Sequence, residues 1–352
     1  MINFKKLFSS AEPVKIGHLT PLSGEYAYFG EWEKEGVDLA AEELNKKGGV
    51  DGREIIVLRE DDRMDPALST ALLGRLIDAQ NVQAIIGSPS SDVLLAVAPI
   101  AEKNKVVMLT ALAGSTEISN ASEYLFRTYP TTVQEGEQLA AAASRAGYKK
   151  TAVIYINNQY GIELAKSVKR KAGEFGIEIS ATEGYRKDNV DFSELLGRIK
   201  EKKPEAIFLL GYPRDMELIL RQAKVLGIES KYLAPDTFLD PKFQAGIGHA
   251  AEGVVYVAPV EIMASEFVKN FRNKYEKEPN IFNAMTYDAL NLLALAIKQG
   301  GNNGEAIKNE LLKIKDYQGA SGIVTFDEHG DAINRPLKLK MIKEGKAIDY
   351  PR

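Results

Sequence analysis

The residues best suited to chemistry fall in six short loops, not in one contiguous motif. Residues 88–92 (Ser-Pro-Ser-Ser-Asp) place Ser90 and Ser91 ahead of the apolar run 93–101. Serine and Asp there cap a helix, and a capped helix start with free N–H groups also binds a carboxylate. Residues 111–116 carry Leu112, Ala113 and Gly114, small enough for a ligand to approach the backbone closely. In 211–215, Tyr212 offers a flat wall; in 234–238, Asp236 either neutralises a buried cation or caps the next turn. Residues 26–30, with Phe29, and 157–161, with Tyr160, add two aromatic loops.

Most reacting centres are excluded at once. The chain has no cysteine, which removes disulfides, thiolate metal sites and thiol nucleophiles. Its histidines, His18, His249 and His329, lack any metal-ligand spacing. Neither a Walker-type phosphate loop nor an H-E-x-x-H helix is present, and 87–91 is not a G-x-S-x-G elbow. We therefore expect no catalytic residue, no metal and no cofactor. A net charge of −4 with dispersed Lys and Arg argues against a nucleic-acid partner. No run is apolar for long enough to enter a bilayer as a spanning helix. Residues 1–13 open with the basic character of a secretory signal but lack its apolar centre, and are expected to be a tail or a signal remnant.

Those loops need a scaffold. At 352 residues, 45% hydrophobic and 27% charged, the chain suits two domains, each with its own core. Short β-branched runs (14–19, 54–60, 84–87, 106–110, 151–156, 178–185, 206–211, 232–234 and 253–257) alternate with helical stretches (32–47, 67–79, 134–146, 161–175, 192–202 and 215–226). That alternation predicts an α/β fold with mostly parallel sheets and helices on both faces. Leu-Leu-Gly-Arg recurs at 72–75 and 195–198, each time before a strand, a helix and another strand. Two similar lobes follow. A helical section at 265–298, broken at 278–280, is expected to return to the first lobe, and two strand-like runs flank the turn at 327–330. The expected division is 14–129 with 259–328, and 130–258 with 329–352. In parallel sheets, ligands sit beyond the carboxyl ends of the strands, where all six loops lie.

From Val14 to about Ile348 the chain resembles the branched-chain amino-acid-binding family of periplasmic proteins. The resemblance rests on 16–30, Asn-Lys-Lys-Gly-Gly at 45–49 with Asp51 and Gly52, Asp61 and Asp62, 158–161, 220–223 and 282–297. It implies the type I periplasmic-binding-protein fold, with three crossovers as hinges and a ligand in the cleft between lobes. It also implies roles. Ser91, with the helix start it caps, would hold the ligand carboxylate, joined by Ser90. Backbone around Leu112, Ala113 and Gly114 would meet both charged ends, while Tyr160 and Tyr212 close over the ligand. Asp236 would pair with the ammonium, and Phe29 would wall the side-chain end. One position departs: Gly114 stands where the family often has a threonine, so either Ser115 substitutes or the ligand differs from leucine, isoleucine and valine.

The expected function is an extracytoplasmic, periplasmic solute-binding component of an ABC importer. Its ligand would be an amino acid or a similar small carboxylate, and its partners the permease subunits. A ligand-sensing regulator of the same fold is the alternative. A zwitterion moved from water into a closed site must have each charge paired and hydrogen-bonded, or it loses several kcal/mol per charge. A helix start and Asp236 meet both needs without metal or cofactor.

Overall fold

The computed structural model describes residues 12–239, 241–333 and 335–350. Residues 1–11 of the expected tail lie outside them. The chain divides into two compact units, one running to Tyr129 and again from Glu261 to Arg335, the other from Pro130 to Val260 and again from Pro336.

The first unit begins β1 (Val14–Thr20), α1 (Ala27–Lys46), β2 (Ile55–Asp61), α2 (Pro66–Asp78), β3 (Ala84–Ile86), α3 (Ser91–Asn104), β4 (Val107–Thr110) and β5 (Leu125–Arg127). Its five strands are all parallel, in the order β2-β1-β3-β4-β5. β3 and β4 are buried along their whole length, as expected of strands covered on both faces. Leu19, Leu73, Ile85, Val97 and Met108 share the core on one side of that sheet.

The second unit continues with α4 (Thr132–Arg145), β6 (Lys150–Ile156), α5 (Gln159–Glu174), β7 (Glu178–Tyr185), α6 (Ser193–Lys202), β8 (Ala206–Leu210), α7 (Pro213–Val225), β9 (Lys231–Ala234), α8 (Pro241–Ile247) and β10 (Val255–Pro259). The chain then returns to the first unit as α9 (Ser265–Tyr275), α10 (Ile281–Gly300), α11 (Gly304–Leu312), β11 (Tyr317–Gly319), β12 (Gly322–Phe326) and β13 (Ala332–Ile333). It ends in the second unit with β14 (Leu337–Lys343) and β15 (Lys346–Asp349). The second sheet runs β7-β6-β8-β9-β10 in parallel, then adds β14 and β15 antiparallel. Its parallel part repeats the order of the first sheet, so the Leu-Leu-Gly-Arg repeat marks a repeated topology.

The break between α9 and α10 has a local cause. Glu276 turns left-handed at φ +54°, Pro279 follows, and Asn280 then starts α10 with a reciprocal capping box to Asn283. Two of the three crossings fall elsewhere than expected. Ala258 and Pro259 pair with Lys338 and Leu337 inside the second sheet. Residues 329–333 belong to the first unit, not the second: the Arg127 amide donates to Gly330 O at 2.9 Å, and the Arg127 guanidinium pairs with Asp331 at 2.7 Å. The passage therefore comes at Arg335–Pro336.

Helices α1 and α10 approach closely at Gly36, where a Cβ would lie 2.1 Å from Thr286 Oγ1 and 2.3 Å from Asn283 O. Gly74, inside α2, has open space around the same position. Gly36→Ala should therefore destabilise the protein by about 1–3 kcal/mol through overpacking. Gly74→Ala should stabilise it by about 0.5–1 kcal/mol through helix propensity alone. Urea midpoints of the two variants should move in opposite directions.

Candidate ligand-binding site

The strand order places a switch point in each unit. Between β1 and β3, and again between β6 and β8, the crossovers leave in opposite directions and open a crevice at the strand ends. The loops that follow those strands carry most of the candidate residues.

In the first unit, Ser90 is the N-cap of α3, and its hydroxyl accepts the Val93 amide at 3.3 Å. Ser91 is the first helical residue, not the cap expected from its sequence position. Its hydroxyl instead accepts the Ser115 amide at 3.3 Å, which ties the start of α3 to the loop after β4. Thr110 Oγ1 strengthens the tie by donating to Ser88 O at 2.9 Å and accepting the Ala113 amide at 3.1 Å. Ser90, Ser91, Leu112, Ala113 and Gly114 are thus brought together, and all five are buried. Ser115 Oγ accepts the Glu117 amide at 3.3 Å, and its carbonyl accepts from Arg127 at 2.6 Å. The hydroxyl next to Gly114 is thus engaged in capping a 3-10 turn over Thr116–Asn120.

Phe29 opens α1 among aromatic neighbours of its own. Its ring meets Tyr28 at 4.4 Å and Trp32 edge-on at 5.5 Å, and Trp32 stacks on Phe282 at 5.0 Å. Gly30 lets this turn sit against the end of β1, since a Cβ there would lie 1.8 Å from Pro21 O.

In the second unit, Asn158 caps α5 by accepting the Gly161 amide at 2.9 Å, and its amide nitrogen donates to the Tyr212 hydroxyl at 3.2 Å. The rings of Tyr160 and Tyr212 stack at 5.8 Å, 13° from parallel. Asp236 is 2% exposed and opens a 3-10 turn, held to the β8 loop where Thr237 Oγ1 donates to Gly211 O at 2.7 Å. Burial pushes the Asp236 carboxyl up to about 7, against the pull of the Thr237 amide, and its Oδ2 has no hydrogen-bond partner. No lysine or arginine offsets that burial among the described residues.

The sequence reading passed over Glu135. It lies in the first turn of α4, wholly buried, beside the Tyr160 hydroxyl and the Asp236 backbone amide. Burial raises its carboxyl to about 8; the amide and the hydroxyl pull it down, while Glu163 pushes it further up. An acid in the first turn of a helix is routine in sequence, so only tertiary burial distinguishes this one.

Two doubly wound units whose strand ends gather serine, tyrosine and carboxyl groups define a small-molecule binding protein of the two-unit α/β class. The profile of the periplasmic binding protein family matches residues 13–347, and the chain belongs to that family. It is 27% identical over 337 residues to the leucine-, isoleucine-, valine-, threonine- and alanine-binding protein of Pseudomonas aeruginosa, covering 94% of this chain and 90% of the relative. Among solved structures, a leucine-binding protein of Thermotoga maritima is 32% identical, with a TM-score of 0.89 over 96% of this chain and 98% of its own. A branched-chain amino-acid transporter binding protein of Streptococcus pneumoniae, solved with isoleucine, is 27% identical, with a TM-score of 0.87 over 95% and 97%.

The buried carboxyl has a consequence for stability. Asp236 holds its proton to about pH 7 when folded and ionises near its ordinary value of about 4 when unfolded. Between those pH values the unfolded chain binds fewer protons, so this group lowers the stability of the ligand-free protein as pH rises, by at most about 4 kcal/mol. Asp236→Asn should flatten that decline, so that its advantage over the wild type in urea midpoint is larger at pH 8 than at pH 4.

Proposed function

We propose that the protein is the solute-binding component of an ABC importer, taking an amino acid of the branched-chain type or a close relative. The first unit supplies the carboxylate subsite, where Ser90, Ser91 and the amides at the start of α3 meet the loop of Leu112, Ala113 and Gly114. The second supplies the ammonium subsite, with Asp236 as the anion and Tyr160 and Tyr212 as the aromatic lining. Phe29 is assigned to the side-chain end. The protein would work in the periplasm, deliver its ligand to permease subunits and transform nothing.

The observation that carries this reading is Asp236, a buried carboxyl with one oxygen unpartnered and, among the described residues, no lysine or arginine to offset its burial. Ligands bound by relatives support the same class: the Pseudomonas protein is named for five amino acids, four of them aliphatic and the fifth threonine, and the Streptococcus structure holds isoleucine.

Calorimetry with leucine and with its deaminated analogue, 4-methylpentanoate, tests the assignment. Asp236→Ala should weaken leucine binding by about 3–5 kcal/mol, because the ammonium is left buried and unpaired. Ser91→Ala should cost less, about 1–2 kcal/mol, since backbone amides remain. Equal binding of leucine and its analogue by the wild type would replace an amino-acid site with one for simple carboxylates.

A further inference from the structure

Both carboxyl oxygens of Glu135 are buried without a hydrogen bond of normal geometry. Buried groups in that state are rare in native proteins and ask for an explanation. The Tyr160 hydroxyl beside it is also buried and unpartnered, and the Thr237 hydroxyl adjoins it. Helix α4 packs on α5, β9, β10 and β14. From α5 it is faced by Tyr160 and by Glu163, whose Oε2 accepts from Thr132 Oγ1 at 2.5 Å. From the end of β9 it is faced by the amide of Asp236, while Lys338 of β14 is paired with Asp349 at 3.5 Å. Glu135 therefore lies between the two residues assigned to the ligand's ammonium side.

We propose that Glu135 is a positioning residue of this subsite, which orients the Tyr160 hydroxyl toward the ligand while bracing the Asp236 backbone. The inference rests on the amino-acid reading of the site. A neutral carboxylic acid has one carbonyl acceptor and one O–H donor. The acceptor matches the Asp236 N–H, and the donor matches the Tyr160 oxygen. Tyr160 then keeps its own O–H for the ligand. An ionised Glu135 has acceptors only, so it draws the Tyr160 O–H inward and removes that donor from the site. The raised value of about 8 keeps the neutral form dominant at pH 7. It also keeps Asp236 the single anion opposite a ligand ammonium, since a second buried charge would be uncompensated. Glutamine reproduces the acceptor and donor of the neutral acid at every pH; alanine reproduces neither.

Two measurements decide the proposal. Carbon-13 carboxyl NMR of the ligand-free protein should show a glutamate titrating near pH 8 that is missing in Glu135→Gln; without such a resonance the proposal is overturned. Leucine calorimetry should then show wild-type affinity falling about tenfold by pH 9, in proportion to the neutral fraction. Any fall shared with Glu135→Gln belongs to the ligand's own ammonium. Glu135→Gln should bind as the wild type does at pH 7 and lack the extra fall, whereas Glu135→Ala should bind at least about tenfold more weakly throughout. Parallel pH profiles for wild type and Glu135→Gln, or equal losses in both variants, would overturn the assignment. Should the wild type bind no amino acid at pH 7, the proposed ligand class fails, and the NMR titration still decides the state of Glu135.

Discussion

Parallel strands cannot be joined by a tight turn, and the rest of the architecture follows from that constraint. Each parallel pair needs a crossover, usually a helix, that returns the chain to the same end of the sheet. All strands of the set then finish at one edge, and the loops leaving them share it. With the order β2-β1-β3-β4-β5, repeated as β7-β6-β8-β9-β10, two such edges are made. The serine loop, the small-residue loop, the tyrosines and Asp236 are neighbours within their units for this reason, although long stretches of sequence separate them.

Within the second unit the polar groups are arranged against stability. Glu135 and Asp236 are both buried and both raised by desolvation. A core built only for folding would place apolar side chains there, as it does at Leu209 and Ile219. Retaining carboxyls shifts part of the favourable free energy from folding to whatever completes the polar set. The first unit also buries carboxyls raised by desolvation, Glu33 and Asp62 among them, but its serine and small-residue loops treat their polar groups differently. Ser90, Ser91 and Thr110 are satisfied by neighbouring backbone and hold the two loops to each other.

Much of this scaffold was legible in sequence because buried parallel strands leave a strong signal. The run Ala-Ile-Phe-Leu-Leu of β8 is buried at every position and reads as a strand without help. Leu125–Arg127 has three residues, too few for a pattern, and Lys346–Asp349 is only four residues long and exposed throughout, so β5 and β15 left no comparable trace. The lobe boundary was misplaced because residues 327–330 do make a turn, yet Arg127, wholly buried, binds Gly330 and Asp331 into the first unit. At the site, sequence separated the loops but not the parts played inside them. Ser90 and Ser91 are equally good caps by type, and the structure alone assigns the cap to Ser90. Glu135 looked like any first-turn acid.

The final strands bear on how the chain reaches this fold. Val255–Pro259 is the last parallel strand of the second sheet, and its free edge is covered by Leu337–Lys343. Between them the chain makes α9, α10, α11 and three short strands of the other unit. A chain emerging residue by residue would expose an apolar sheet edge over this whole interval, with the remaining backbone donors and acceptors of β10 open to pairing with other chains. Completion of the second unit is therefore a late event, and the interval before it is when a chaperone that shields strand edges would have most effect.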